Sequence, residues 1–127
     1  SFDLAYSAAL ILSQCGQRGD AANAMKRAAA AMPPSADARM RRETAAVLSE
    51  GGLNAEAETV LNAYLRLQPQ DVEAWLQLAL VKDALGQTQN AQSAILQAYK
   101  LNPELTSQRL GASEPLQKVA APLFRRK

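Results

Sequence analysis

Apolar residues recur every three or four positions through most of the chain, which is helical spacing. The clearest run is 72–103. It carries Trp75, Leu78 and Ala79, then Gly86, then Ala91, Ile95, Ala98 and Leu101, and closes on Pro103. Leu76, Leu78 and Leu80 also alternate as in a strand. The wealth of Ala, Leu and Gln and the scarcity of β-branched residues decide for helix. Asp71 is placed to cap a helix starting at Val72, and Glu73 sits favourably at its positive end. Gly86 suits the left-handed residue that ends it. Thr88 is placed to cap a second helix, and Pro103 stops that one.

The pattern recurs. Gly86 precedes Ala91 by five residues, as Gly52 precedes Ala57 and Gly19 precedes Ala24. Pro69 and Pro103 stand 34 residues apart. The expected elements are a helix over Leu4–Leu12 with an inward stripe of Ala8, Ile11, Leu12 and Cys15, and a helix capped by Asp20 that runs to Met32. A linker follows over Pro33–Asp37, then helices Ala38–Glu50 and Asn54 to Leu67, and a second linker over Gln68–Asp71. Beyond Pro103 the repeat fails. Glu104–Leu110 reads as helical, Gly111 as a break, and Ser113 as the cap of a short helix before Pro122. That helix carries Leu116, Val119, Leu123 and Phe124 as an apolar stripe, and Arg125, Arg126 and Lys127 form a basic tail.

The motif Trp75-x2-Leu78-Ala79, then Ala91-x3-Ile95, then Pro103 resembles the tetratricopeptide repeat, a helical hairpin of about 34 residues. Lys82 departs from the pattern, standing where the family places Tyr; its aliphatic stem can still cover apolar surface. The first copy is worn, and the second has Arg41 in place of Trp75. The resemblance implies an all-α fold of three tandem hairpins, at about 4–34, 38–69 and 72–103, in a short right-handed solenoid. Residues 104–127 would form a C-terminal cap segment and basic tail. Trp75 would wedge between the helices of its hairpin. The first helix of each repeat would line the inner face of the solenoid.

In that register the groove would present Leu10 and Ser13, with Tyr6, Ala9 and Gln17, from the first repeat. The second would present Arg42, Glu43, Ala46 and Glu50, with Ser49, and the third Leu76, Gln77, Leu80 and Asp83. Leu76 and Leu80, one turn apart, need a cover. It is either a partner or the chain's own C-terminal segment. Some family members clamp a C-terminal carboxylate with Lys, Asn and Arg on this face. The matching positions here are Ala9, Ser13, Glu43, Glu73 and Gln77, none of them Lys, Asn or Arg, which argues against a clamp.

Composition narrows the function. The chain has 127 residues, which suits one domain, and 48% are hydrophobic, enough for a core. Only 5% are aromatic, so small aliphatic side chains must do most of the packing. Net charge is +2, without the clustered basic excess of a nucleic-acid binder. Arg39, Arg41 and Arg42 are a small basic group with no interleaved aromatic for base stacking. Histidine is absent, which removes the commonest general base and metal ligand. Cys15 is alone, so it builds neither an internal disulfide nor a thiolate zinc site, and it reads as a small buried hydrophobe. No glycine-rich phosphate loop appears. Glu43 and Glu50 share a helix face, as solvated charges do. Leu12-Ser13-Gln14-Cys15 faintly resembles a lipoprotein cleavage box, yet Gln14 stands where that box needs a small residue. No apolar run reaches the roughly 18 residues needed to span a bilayer.

The sequence therefore reads as a piece of a longer or processed protein, with no enzyme, cofactor or metal. The expected function is binding a peptide or amphipathic helix in the groove, with a protein partner, no nucleic acid and no direct membrane insertion. The alternative is a structural spacer or self-association domain whose groove is filled by its own chain. The apolar N-terminal helix, with Phe2, Leu4, Tyr6, Leu10 and Ile11, makes a homo-oligomer or a contact with a preceding segment the expectation at that end.

Overall fold

The structure is a computed structural model and describes residues 2–124. Arg125, Arg126 and Lys127 lie outside the described residues, as does the side chain of Phe124. The described residues form helices and no strand. The helices are α1 (Phe2–Gln14), α2 (Arg18–Ala30), α3 (Ala38–Glu50), α4 (Asn54–Leu67), α5 (Val72–Ala84), α6 (Thr88–Leu101), α7 (Pro103–Ala112) and α8 (Glu114–Phe124). No helix is long and apolar enough to cross a membrane. The chain divides into two compact units, Ser1–Tyr64 and Leu65–Lys127.

The ends of these helices follow from local chemistry. Asp37, Asp71 and Asn102 cap α3, α5 and α7, their side chains accepting from the amides of Met40, Ala74 and Leu105. Pro103 starts α7, where a missing N–H costs nothing. Each hairpin turns on a glycine at positive φ: Gly16, Gly52 and Gly86. In all three the residue after the glycine donates back to the carbonyl five positions earlier: Gln17 to Leu12 (3.0 Å), Leu53 to Leu48 (2.8 Å) and Gln87 to Lys82 (2.9 Å). That is the Schellman end of a helix.

The turn glycine of the first hairpin is thus Gly16, not Gly19, which lies inside α2. The corrected register is sharper. Five residues after each turn glycine come Ala21, Ala57 and Ala91, all 0% exposed. Met25, Leu61 and Ile95 follow one turn on, and Ala28, Tyr64 and Ala98 after them, all buried. On the first helices, Ala9, Ala45 and Ala79 occupy equivalent positions and are also 0% exposed. Small residues stand where the two helices of a hairpin close on each other, and larger ones fill the widening gap between them.

Some expectations need correction. Asp20 and Thr88 are not caps: both lie within the first turn of helices that begin at Arg18 and Thr88. Gly111 does not break α7, which runs on to Ala112, and α8 continues past Pro122. Trp75 is half-buried rather than inserted; its Nε1 donates to the Pro69 carbonyl (2.8 Å) while its ring packs against the core. In α1 the buried residues are Phe2, Tyr6 and Ala9, while Ala8, Ile11 and Cys15 are exposed.

The core of the second unit joins α5, α6 and α8. Val72, Leu76 and Ala79 meet Ala91, Ala94, Ile95 and Ala98, and Leu116, Val119 and Ala120 of α8 complete the cluster. Arg109 of α7 donates to the Glu73 carboxylate of α5 through Nε (2.8 Å) and Nη2 (2.5 Å). The carboxylate raises the Arg109 pKa, first through the hydrogen bond and then through its charge.

Candidate protein-interaction surface

The expected groove residues divide between the two units. Leu10 and Ser13 stand on α1, and Arg42, Glu43, Ala46 and Glu50 on α3, all in the first unit. Leu76, Gln77, Leu80 and Asp83 stand on α5 in the second.

In the first unit α1 and α3 are joined by a hydrogen bond from the Tyr6 hydroxyl to the Glu43 carboxylate. Arg39, one turn earlier on α3, donates to the other Glu43 oxygen at 3.3 Å. Tyr6 is buried and stacks on Phe2, their ring centroids 5.3 Å apart. Tyr6 and Ala9 are therefore core residues of α1, not groove-facing ones. One turn beyond the Tyr6–Glu43 bond lie Leu10 on α1 and Ala46 on α3, and a further turn on lie Ser13 and Glu50. Leu10, Ser13, Arg42, Glu43 and Ala46 are half-buried and Glu50 is exposed.

The second unit differs. Leu76 is 3% exposed and belongs to the core cluster that α8 completes, so it is not an open surface residue. Leu80, one turn on, is half-buried against the same cluster. Of the two covers weighed for this pair, the structure has the chain's own C-terminal helix. Gln77 is half-buried and Asp83 exposed. An open cleft of about 530 Å³ lies where α5 begins and α6 meets α7. Three of its polar side chains are engaged: Asp71 and Asn102 cap helices, and Glu73 holds Arg109.

The basic group on α3 does not act as one patch. Arg39 pairs with Glu43, and Arg41 reaches back to the linker, donating to the carbonyls of Ala36 (3.0 Å) and Pro34 (3.1 Å). The two acids at clamp positions, Glu43 and Glu73, are likewise held by Tyr6 with Arg39 and by Arg109. Sequence reasoning missed both ties. Their partners lie 37 and 36 residues apart, and no spacing rule links them.

Burial raises the Tyr6 pKa, and the Glu43 hydrogen bond and charge raise it further. The folded chain thus keeps a proton that the unfolded chain gives up near pH of about 10. The resulting stability is present below that pH and lost as the pH rises above it. In urea melts, the advantage of the parent over Tyr6→Phe should shrink above that pH. An advantage that stays constant would mean that the phenol does not carry the α1–α3 tie.

Two models of the tetratricopeptide repeat match the chain, one over residues 38–81 and one over 72–105. Together they span more than half of it. No curated protein matches the sequence. Among solved structures, MamA from Desulfovibrio magneticus RS-1 is similar at TM-score 0.68 and 22% identity, covering 95% of this chain and 71% of that one. The type III secretion chaperone SycD of Yersinia enterocolitica, solved in complex with a peptide of the translocator YopD, is similar at TM-score 0.67 and 18% identity. That match covers 94% of this chain and 92% of SycD. The repeated turns, the buried alanines and the matching models agree: this chain belongs to the tetratricopeptide repeat family, whose helical hairpins are protein-interaction modules.

Proposed function

We propose that the chain binds a protein segment, an extended peptide or an amphipathic helix, on the α1–α3 face of its first unit, without catalysis. The observation that carries this reading is the pair Leu10 and Ala46, equivalent positions on α1 and α3 one turn beyond the Tyr6–Glu43 bond, which stay half-exposed beside the charged Arg42, Glu43 and Glu50. An apolar centre with charge along its edge suits an amphipathic segment. The peptide held by SycD supports a ligand of this kind.

The test is a peptide library screened by fluorescence polarisation against the parent and against Leu10→Asp and Ala46→Arg. Both variants should weaken binding by about tenfold or more, since each places an unpaired charge in the contact. Binding that survives both would remove this face from the reading.

The second reading, a spacer whose inner face is filled by its own chain, is favoured by one observation, the α8 cover over Leu76. A parent chain that binds no member of the library would move the conclusion to it.

A further inference from the structure

The charges of α3 run against its helix dipole. A helix is positive at its N-terminus and negative at its C-terminus, so acids suit its first turn and bases its last. Helices α2, α4, α5 and α7 each carry an acid in the first turn and a base in the last. Inside α3 there is neither. Arg39 and Arg41 stand at its positive end, and Glu50 closes its negative one. At the positive end the mismatch is offset within the chain: Asp37 caps the helix, Glu43 pairs with Arg39, and the carbonyls of Ala36 and Pro34 accept from Arg41. At the negative end nothing offsets it. Among the described residues the exposed Glu50 side chain makes no hydrogen bond or ion pair, not even with Arg18, whose carbonyl lies against the adjacent Gly51. The hydroxyl of Ser13, at the same end of the α1–α3 face, is also without a partner among them. Glu43, the other acid of the face, is taken by Tyr6 and Arg39.

We propose that Glu50 receives a lysine or arginine of the segment bound on the α1–α3 face, and so selects its charge and fixes its placement. This rests on the reading of that face as the binding surface. Ala46 and Glu50 are four residues apart on α3, about 6 Å along the helix axis. The segment therefore carries its base about one turn from the apolar residue seated on Leu10 and Ala46 if it is helical, and about two residues from it if it is extended. A cation placed there meets the Glu50 carboxylate, the negative end of α3 and the Ser13 hydroxyl oxygen together. An ammonium or guanidinium bonded to an ionised carboxylate makes a stronger contact than a neutral pair.

The test is selection from a random peptide library displayed on phage, against the intact chain, Glu50→Lys and a control, Glu104→Lys. Lysine suits the last turn of a helix, so Glu50→Lys keeps the fold, which circular dichroism checks. Glu104 is exposed in the first turn of α7, and its replacement makes the same change of net charge in the second unit. Peptides selected by the parent should carry Lys or Arg at the stated spacing from an apolar residue. They should bind Glu50→Lys about fivefold or more less tightly, and that variant should itself select Asp or Glu at the same spacing. Selected peptides without a basic preference at that spacing overturn the proposal and leave the α1–α3 reading standing. So does Glu104→Lys weakening binding as much as Glu50→Lys, because net charge would then explain the effect. A parent chain that selects no peptide overturns both.

Discussion

Gly51→Ala is expected to destabilise the first unit by about 3 kcal/mol, toward the upper end of overpacking effects. The added methyl would overlap the Ala22 side chain and stand 2.5 Å from the Arg18 carbonyl oxygen. The second obstacle is backbone, so no rotamer change relieves it. The φ of Gly51 is −90°, which any residue adopts, so the effect is steric alone. Two other glycines provide the contrast. A Cβ at Gly19 meets nothing within 4 Å, and Gly19 lies in the first turn of α2. Gly19→Ala should therefore stabilise by up to about 1 kcal/mol through helix propensity and reduced freedom of the unfolded chain. Gly52 also has open space around it, but its φ is +88°. Gly52→Ala should cost about 1–2 kcal/mol of left-handed strain. Urea melts of the three variants give the order. Gly51→Ala behaving like Gly19→Ala would mean that α2 and α3 do not approach as closely as described.

The same glycines mark what could be read from the sequence. The boundaries of α3, the starts of α4 and α5, and the Gly52 and Gly86 turns were all legible. The starts of α3 and α5 rest on a capping Asp, and the turns rest on a glycine within an apolar period. The first hairpin was misread because its second helix offers Ala21, Ala22 and Ala24 in succession, and Gly16 and Gly19 both fit a turn. The positive φ of Gly16 and the shared hydrogen bond from Gln17 to Leu12 separate them. The surface positions were less legible. A repeat pattern specifies which side chains close a hairpin, as Ala79 and Ala91 do. It does not specify what covers the other faces. Leu76 is buried by Leu116, Val119 and Ala120, forty and more residues away in a segment outside the repeat. Ile11 is exposed for the converse reason: among the described residues no helix lies on that side of α1. The Tyr6–Glu43 and Arg109–Glu73 ties were invisible because the first joins helices of different repeats and the second joins a repeat to the segment beyond it, and the family pattern leaves those positions free.

Removing α8 is expected to have the largest effect of all. Leu116 and Val119 are 5% and 4% exposed, and burying each contributes about 1.5–3 kcal/mol. Their loss, about 3–6 kcal/mol as an upper estimate, compares with a total stability of about 5–15 kcal/mol for an ordinary domain. Deleting residues 111–127 should therefore leave α5 and α6 marginally folded, and Leu116→Ala alone should cost about 2–5 kcal/mol through the cavity it opens. The chain has one tryptophan, Trp75, and its ring packs against this cluster. Its emission should shift to the red in the truncated chain, and the urea transition it reports should move to lower concentration. The deletion also decides what α8 is for. A helix that completes the core leaves a destabilised unit that gains no ligand. A helix that only occupies a binding face leaves a stable unit whose Leu76 and Leu80 bind an amphipathic peptide, and Leu76→Asp abolishes that binding. The cluster argues for the first outcome. Leu116, Val119 and Ala120 share one core with Ile95 and Ala98 of α6 as well as Leu76 of α5, so α8 closes the hairpin across both of its helices. An unchanged melt together with new peptide binding would show that α8 is a displaceable occupant, and would return Leu76 and Leu80 to the interaction surface.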